Sequence, residues 1–205
     1  MIAALYVAHG GVYYGLPDVE PWAEARDARL YQGPWPVVAH PPCERWGRYW
    51  SGGPSAKVRR RKGEDGGCFE SALLAVRCWG GVLEHPEASA AWDAFGLNRP
   101  PRLGGWVTAD FEGGWTCCVE QGHYGHRARK ATWLYACRIE LPMLKWGSSG
   151  PRARLEDGSH TAEERRRAIK TGVCQRLSKR QRAATPIPFR DLLLAIARTS
   201  LREGA

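Results

Sequence analysis

The sequence predicts an α/β protein: a compact open sheet with a basic helical segment at its C-terminal end. Three observations lead there. Short apolar runs alternate with patterns of helical period, the element order that builds a layered α/β sheet. Most of those runs are cut off sharply by glycine or proline, which punctuate strands and helices rather than continue them. The chain's 205 residues, 43% hydrophobic and 25% charged, suffice for one sizeable domain with a real core but not for a two-domain enzyme of ordinary size. The same composition excludes the disordered and fibrous classes. No apolar run approaches a membrane span, and Met1 to Gly15 has neither the basic start nor the apolar middle of a signal peptide. A soluble, cytoplasmic protein with no membrane partner is expected.

In chain order, Ala3 to Ala8 reads as a first buried strand ending at His9-Gly10-Gly11. Pro21 to Tyr31 has helix-forming composition, with Trp22, Ala25 and Leu30 marking one face. Pro36 to His40 reads as a strand stopped at Pro41-Pro42-Cys43. Residues 44–67 show no sustained period, and a structureless loop of that length is usually functional or mobile. It reads as a loop closing over a substrate. Phe69, Ala72, Leu73 and Val76 fall on one face of a helix over Cys68 to Trp79, ended by Gly80-Gly81. Val82 to Glu84 forms a short strand stopped by His85-Pro86, and Trp115 to Gln121 and Thr132 to Cys137 form two more. Gly147 to Pro151 is a flexible connection. Beyond it, Thr161 and Glu164 have capping-box spacing for a basic helix over Ala162 to Lys170. Pro188 to Arg198 places Phe189, Leu192, Leu193 and Ile196 on one face, with proline in the first turn, so this helix docks back on the body. The organisation is a core over 1–146, a basic linker and helix over 147–186, and a docking helix over 187–205.

The net charge of +9 is unevenly spread: residues 151–205 hold 13 basic and 6 acidic side chains, while all ten Trp lie before them. A Trp-rich body with a basic tail points to a polyanionic partner, most often nucleic acid; the alternative is a solvated basic helix with no partner. Seven cysteines without a Cys-x-x-Cys pair argue against a disulfide framework. Cys117, Cys118, His123 and His126 are close in sequence, but neighbours on a strand face opposite ways, so no metal site is expected.

Ligands of open α/β sheets gather at the carboxyl ends of the strands. Cys43 follows one predicted strand, Glu84 ends another, and the loop after Gln121 carries Arg127, Arg129 and Lys130. A cysteine is nucleophilic as the thiolate, and cationic neighbours favour that form. The Pro41-Pro42 pair stiffens the approach to the sulfur. For Cys43 alone, apolar packing is the simpler explanation; the proline pair, a strand-end Glu and a basic loop together shift the balance.

This ordered set resembles the carbon-5 DNA cytosine methyltransferases, especially short methylase-like proteins of phages and prophages. Ala39-His40-Pro41-Pro42-Cys43 resembles the family's Pro-Cys nucleophile motif, and Gly81-Val82-Leu83-Glu84-His85-Pro86 its catalytic-Glu strand. Tyr124 to Arg129 is similar to its Arg-x-Arg motif, Lys130 to Leu134 to a Lys-x-Thr-x-Leu pattern, and Gln181 to Phe189 to the tail of that branch. The resemblance implies a compact Rossmann-like, methyltransferase-like sheet using S-adenosylmethionine. It implies that Cys43 attacks carbon 6 of a flipped cytosine while Glu84 bonds the ring at N3 and the exocyclic amine, with Arg127 or Arg129 contacting the base oxygen or phosphate. The cofactor would lie against His9, Gly10, Gly11, Pro41 and Phe189, with Asp18 or Glu20 as the acidic ligand. Double-stranded DNA would be gripped by Arg59, Arg60, Arg61, Lys130, Arg165, Arg166 and Lys170.

The sequence also departs from the family. Gly11 and Pro42 are only 31 positions apart, which compresses the cofactor half, and His85 stands where the family has Asn. Only residues 138–180 are available for target recognition, so a short site is expected, or a reader supplied by a homodimer mate or separate partner. A catalytically inactive DNA-binding protein and a pyrimidine-modifying enzyme using another donor are the alternatives.

Overall fold

The computed structural model describes residues 1–47, 50–52, 60–150, 163, 166 and 177–200. Among the described residues, seven strands form one mixed sheet: β1 (Ile2–Leu5), β2 (Val19–Trp22), β3 (Val37–Ala39), β4 (Gly81–Pro86), β5 (Val107–Thr108), β6 (Trp115–Glu120) and β7 (Ala131–Cys137). Their order is β2-β1-β3-β4-β7-β6-β5. The pairs β2–β1, β1–β3 and β3–β4 are parallel; β4–β7, β7–β6 and β6–β5 are antiparallel. The described helices are α1 (Cys68–Trp79), α2 (Ala90–Ala94), α3 (Lys179–Ala183) and α4 (Ile187–Arg198). None of them is long and apolar enough to cross a membrane.

The apolar runs of β1, β3 and β4 arise because both faces of these strands are covered. Alternation sends Ala3, Leu5, Val37, Ala39 and Leu83 into one layer with Phe69, Leu73 and Val76 of α1. It sends Ile2, Ala4, Val38 and Val82 into the other with Phe189, Leu193, Leu194 and Ile196 of α4. Burying each large side chain of α4 is worth roughly 2 kcal/mol, so the C-terminal helix is an integral layer of the core. Two polar ties add to it: Arg190 Nη1 donates to the Val12 carbonyl at 2.7 Å, and Arg198 pairs with Asp18 at 2.7 Å.

Helices α1 and α4 and strands β6 and β7 lie within one residue of the expected bounds. The expected first strand is shorter, ending at Leu5 before Tyr6 adopts φ +59°. No helix spans Pro21 to Tyr31. Val19–Trp22 instead pairs with β1 as an edge strand, where Pro21 lacks only an N–H that the ladder can spare. Two 3₁₀ turns follow, Glu24–Arg26 and Ala28–Leu30, separated by Asp27 at φ +37°, whose carboxylate accepts from the Arg29 N–H. Nor do His85 and Pro86 stop β4, because β7 continues the ladder opposite them. Of the expected basic helix, Glu163 and Arg166 are helical and the rest lies outside the described residues.

After β1 the chain pairs β2 on one side, then crosses to place β3 on the other. Loops at the carboxyl ends of β1 and β3 therefore leave in opposite directions and open a crevice. The close packing of β3 on β4 depends on Gly81, at φ +121°, where a Cβ would collide with the Val37 backbone. Gly81→Ala is expected to cost roughly 3 kcal/mol from strain and overpacking together. Gly67→Ala, at φ +80° with open space around it, should cost about 1 kcal/mol from strain alone. Equal losses in denaturant unfolding would show that the close approach at Gly81 carries no weight.

Candidate functional site

A cavity of about 970 Å³ occupies the crevice. It is walled by the loop after β1, the segment His40–Glu44 after β3, the end of β4, the start of β7 and the basic helix α3. At its centre is Glu84, with its side chain 14% exposed. His40 Nδ1 donates to Glu84 Oε2 at 3.1 Å, and the other ring nitrogen meets the Tyr13 hydroxyl at 2.8 Å. Gln121 Nε2 donates to Glu84 Oε1 and to Thr132 Oγ1, both at 3.0 Å, and the Thr132 hydroxyl donates to the Lys130 carbonyl at 3.1 Å. Burial alone would raise the Glu84 pKa. The His40 hydrogen bond and the charges of His40 and Lys130 outweigh it and hold the carboxyl at about 2.

Cys43 lines the same cavity. Its carbonyl accepts from the Trp46 and Gly47 N–H groups at 3.1 and 3.0 Å, forming a turn directly after Pro41-Pro42. Trp46 is buried and donates through Nε1 to Asp65 at 2.7 Å; the same carboxylate oxygen accepts the Phe69 N–H at 2.9 Å. Both ends of the expected closing loop are thus fastened to α1. Residues 48–49 and 53–59 of that loop lie outside the described residues. Burial, reinforced by the charge of Glu84, raises the Cys43 pKa, and Lys130 opposes that rise. At rest the group is a thiol.

Lys130 bends into the cavity with φ +44°. Its ammonium donates to the Ala184 and Ala183 carbonyls at 3.0 and 3.5 Å, joining the start of β7 to the end of α3. Burial lowers its pKa, while Glu84 and Cys43 oppose the fall.

His9, Gly11, Pro41, Cys43, Glu84 and Lys130 all line this cavity. Other expected site residues are placed elsewhere. Arg127 and Arg129 are exposed and outside it, and Arg129 Nε donates to the Gly150 carbonyl at 3.0 Å. Phe189 is fully buried in the core against Tyr124. Gly10 is outside the wall, and Asp18 precedes the amino end of β2, the wrong end of the sheet for the crevice. Arg60, Arg61 and Arg166 are exposed, while Arg59, Arg165 and Lys170 lie outside the described residues. Cys117 and Cys118 fall in opposite core layers.

Tyr13, His40, Gln121, Thr132, Arg180 and Arg182 complete the site and were not foreseen. His40 carried a signal as the polar residue closing the apolar run before Pro41, and Thr132 and Arg182 lie within motif segments that assigned them no role. His85 turns away from Glu84, as the next residue on a strand must. Its ring packs on Phe69 and Trp92, and its Nδ1 lies 2.7 Å from the Ser89 hydroxyl.

Comparison with known families, curated proteins and solved structures returns no match.

S-adenosylmethionine is the cofactor that resemblance implies, and the donor set does not fit it as expected. Asp18 is paired with Arg198 and Glu20 with Arg26, so neither supplies a carboxylate to the crevice. The acidic side chains lining it are Glu44 and Glu84.

Burial holds His85 neutral, with its pKa lowered from 6.5 to about 4. As pH falls through about 6.5 the unfolded chain takes up a proton that the folded protein refuses until about 4, so stability falls across this window. The loss should be roughly 3 kcal/mol. Urea unfolding at pH 7 and pH 4.5 should show His85→Asn losing much less stability than the wild type; parallel losses would exclude His85 as the cause.

Proposed function

We propose that this chain modifies a pyrimidine base in DNA, cytosine first, through a covalent adduct on Cys43, in the manner of the carbon-5 DNA cytosine methyltransferases its motifs resemble. The observation that carries this reading is the meeting of Cys43, Glu84 and Lys130 in one cavity at the strand ends. A Rossmann-like, methyltransferase-like fold is part of the proposal, supported by the parallel β2-β1-β3-β4 half and its switch point. A base inside a duplex cannot reach Cys43, so the target must be flipped at a cost of a few kcal/mol. Arg180 and Arg182 at the cavity wall supply positive charge where the backbone of a flipped nucleotide would lie. Phosphate contacts of this kind position DNA without reading its sequence.

In this reading the ring docks with N3 and its amine on Glu84, and the sulfur adds to carbon 6. Addition makes carbon 5 nucleophilic, and S-adenosylmethionine is the one-carbon donor the resemblance proposes. The missing ribose carboxylate favours a second reading, a methyltransferase-like DNA-binding protein without catalysis.

Duplex DNA carrying 5-fluorocytosine, with and without S-adenosylmethionine, separates the two. A denaturation-resistant protein–DNA complex should form with the wild type and disappear in Cys43→Ala. Binding without any adduct under either condition would leave the binding-protein reading. In either case affinity should fall steeply between 50 and 200 mM salt, by about tenfold or more for a few phosphate contacts.

A further inference from the structure

Both oxygens of Glu84 are already engaged, Oε1 by Gln121 and Oε2 by His40. A carboxylate in this setting can accept from the amine of cytosine but has no proton of its own for N3. Among the described residues, the imidazole bonded to it is His40, whose other nitrogen meets the hydroxyl of Tyr13, a residue 3% exposed. We infer that His40, fixed by Tyr13, is the positioning residue that holds the proton Glu84 delivers to the ring, so that His40 and Glu84 work as one proton shuttle. This rests on the proposed Cys43 adduct.

The step balances without a further reactant. The sulfur–carbon 6 bond forms; the C5=C6 π pair moves between C4 and C5; the C4=N3 π pair moves onto N3. N3 takes the proton from Glu84, which draws it from His40, and the thiol proton of Cys43 restores the pair. One proton has moved from sulfur to N3, and the shuttle ends as it began.

The charged and titratable groups around the pair come from every packed element. They include Tyr6 and His9 after β1, Tyr13 beside Arg190 and Asp191, Cys43 and Glu44 after β3, His85 on β4, Lys130 before β7, and Arg180 and Arg182 on α3. The Tyr13 phenol is pushed up by burial and by the charge of Glu84, so it stays protonated. Burial holds His85 neutral, and it is His40 that is hydrogen-bonded to Glu84.

The test follows exchange of the cytosine C5 hydrogen in duplex DNA, which requires the adduct but no donor, from pH 5 to pH 9. The wild type should lose rate on the alkaline side as the pair gives up its proton. His40→Asn can still donate to Glu84 but cannot shuttle. It should be about 100-fold slower at pH 7 and should recover rate only as pH falls, because losing the His40 charge lets burial push the Glu84 pKa up so that the carboxylate itself takes up protons. An unchanged profile in His40→Asn overturns the inference. If the wild type exchanges no hydrogen at any pH, the adduct reading has failed, and nitrogen NMR of the histidine rings decides the pair. A His40 titration that moves in Glu84→Gln and Tyr13→Phe upholds the coupling, and one that stays in place overturns it.

Discussion

The structure around the cavity depends on keeping one carboxylate ionised where water is scarce. Desolvating Glu84 unaided would cost several kcal/mol, and three strands contribute to avoiding that cost. β4 carries the carboxylate, His40 directly follows β3, and Gln121 directly follows β6. The arrangement is possible because β7 lies between β4 and β6, bringing Thr132 within reach of Gln121. Removing one donor would leave a buried charge half-satisfied, so Glu84, His40 and Gln121 stand or fall as one hydrogen-bonded group.

The C-terminal segment belongs to the same arrangement. Docking of α4 against β1, β3 and β4 brings the preceding α3 to the mouth of the crevice, where Lys130 meets its last carbonyls. His126 adds a second tie, with Nε2 3.2 Å from the Gln181 carbonyl. Positive charge that the sequence concentrates in its final quarter is thereby delivered, in Arg180 and Arg182, to the rim of a cavity built by the first three quarters.

Elements with an unambiguous period were legible in the sequence. The four apolar positions of α1 are buried as their spacing requires, and so are Phe189, Leu193 and Ile196 of α4, with Leu194 buried and Leu192 half-buried; the buried runs of β1 and β3 read correctly as strands. Pro21 to Tyr31 misled because its composition suits a helix, while pairing with β1 and the Asp27 turn decide its structure; tertiary context overrides propensity in such short segments. At the site, Cys43 and Glu84 were legible because strand ends are where sheets place ligands. Asp18 was misplaced by one strand length, since it precedes rather than follows β2. Tyr13 and Gln121 had no signal, because what recruits them is the orientation of His40 and the neighbourhood of β6 and β7, neither visible in linear spacing. Arg127 and Arg129 matched a motif, yet the turn at Lys130 aims that residue inward instead.

The resting state of Cys43 follows from the same electrostatics. Burial, Glu84 and Glu44 favour the thiol, while a backbone hydrogen bond and the charge of Lys130 favour the thiolate. A free nucleophile in such a pocket is protected from adventitious oxidation, because oxidants attack the thiolate. On the proposed reading, a docked ring removes that protection. Once the Glu84 charge is shared with N3 and the amine, its repulsion of a sulfur anion weakens, and the balance at the sulfur shifts towards the thiolate that Lys130 favours. Activation is then coupled to occupancy by charge balance alone, and the carboxylate that orients the base also keeps the sulfur unreactive until the base is in place.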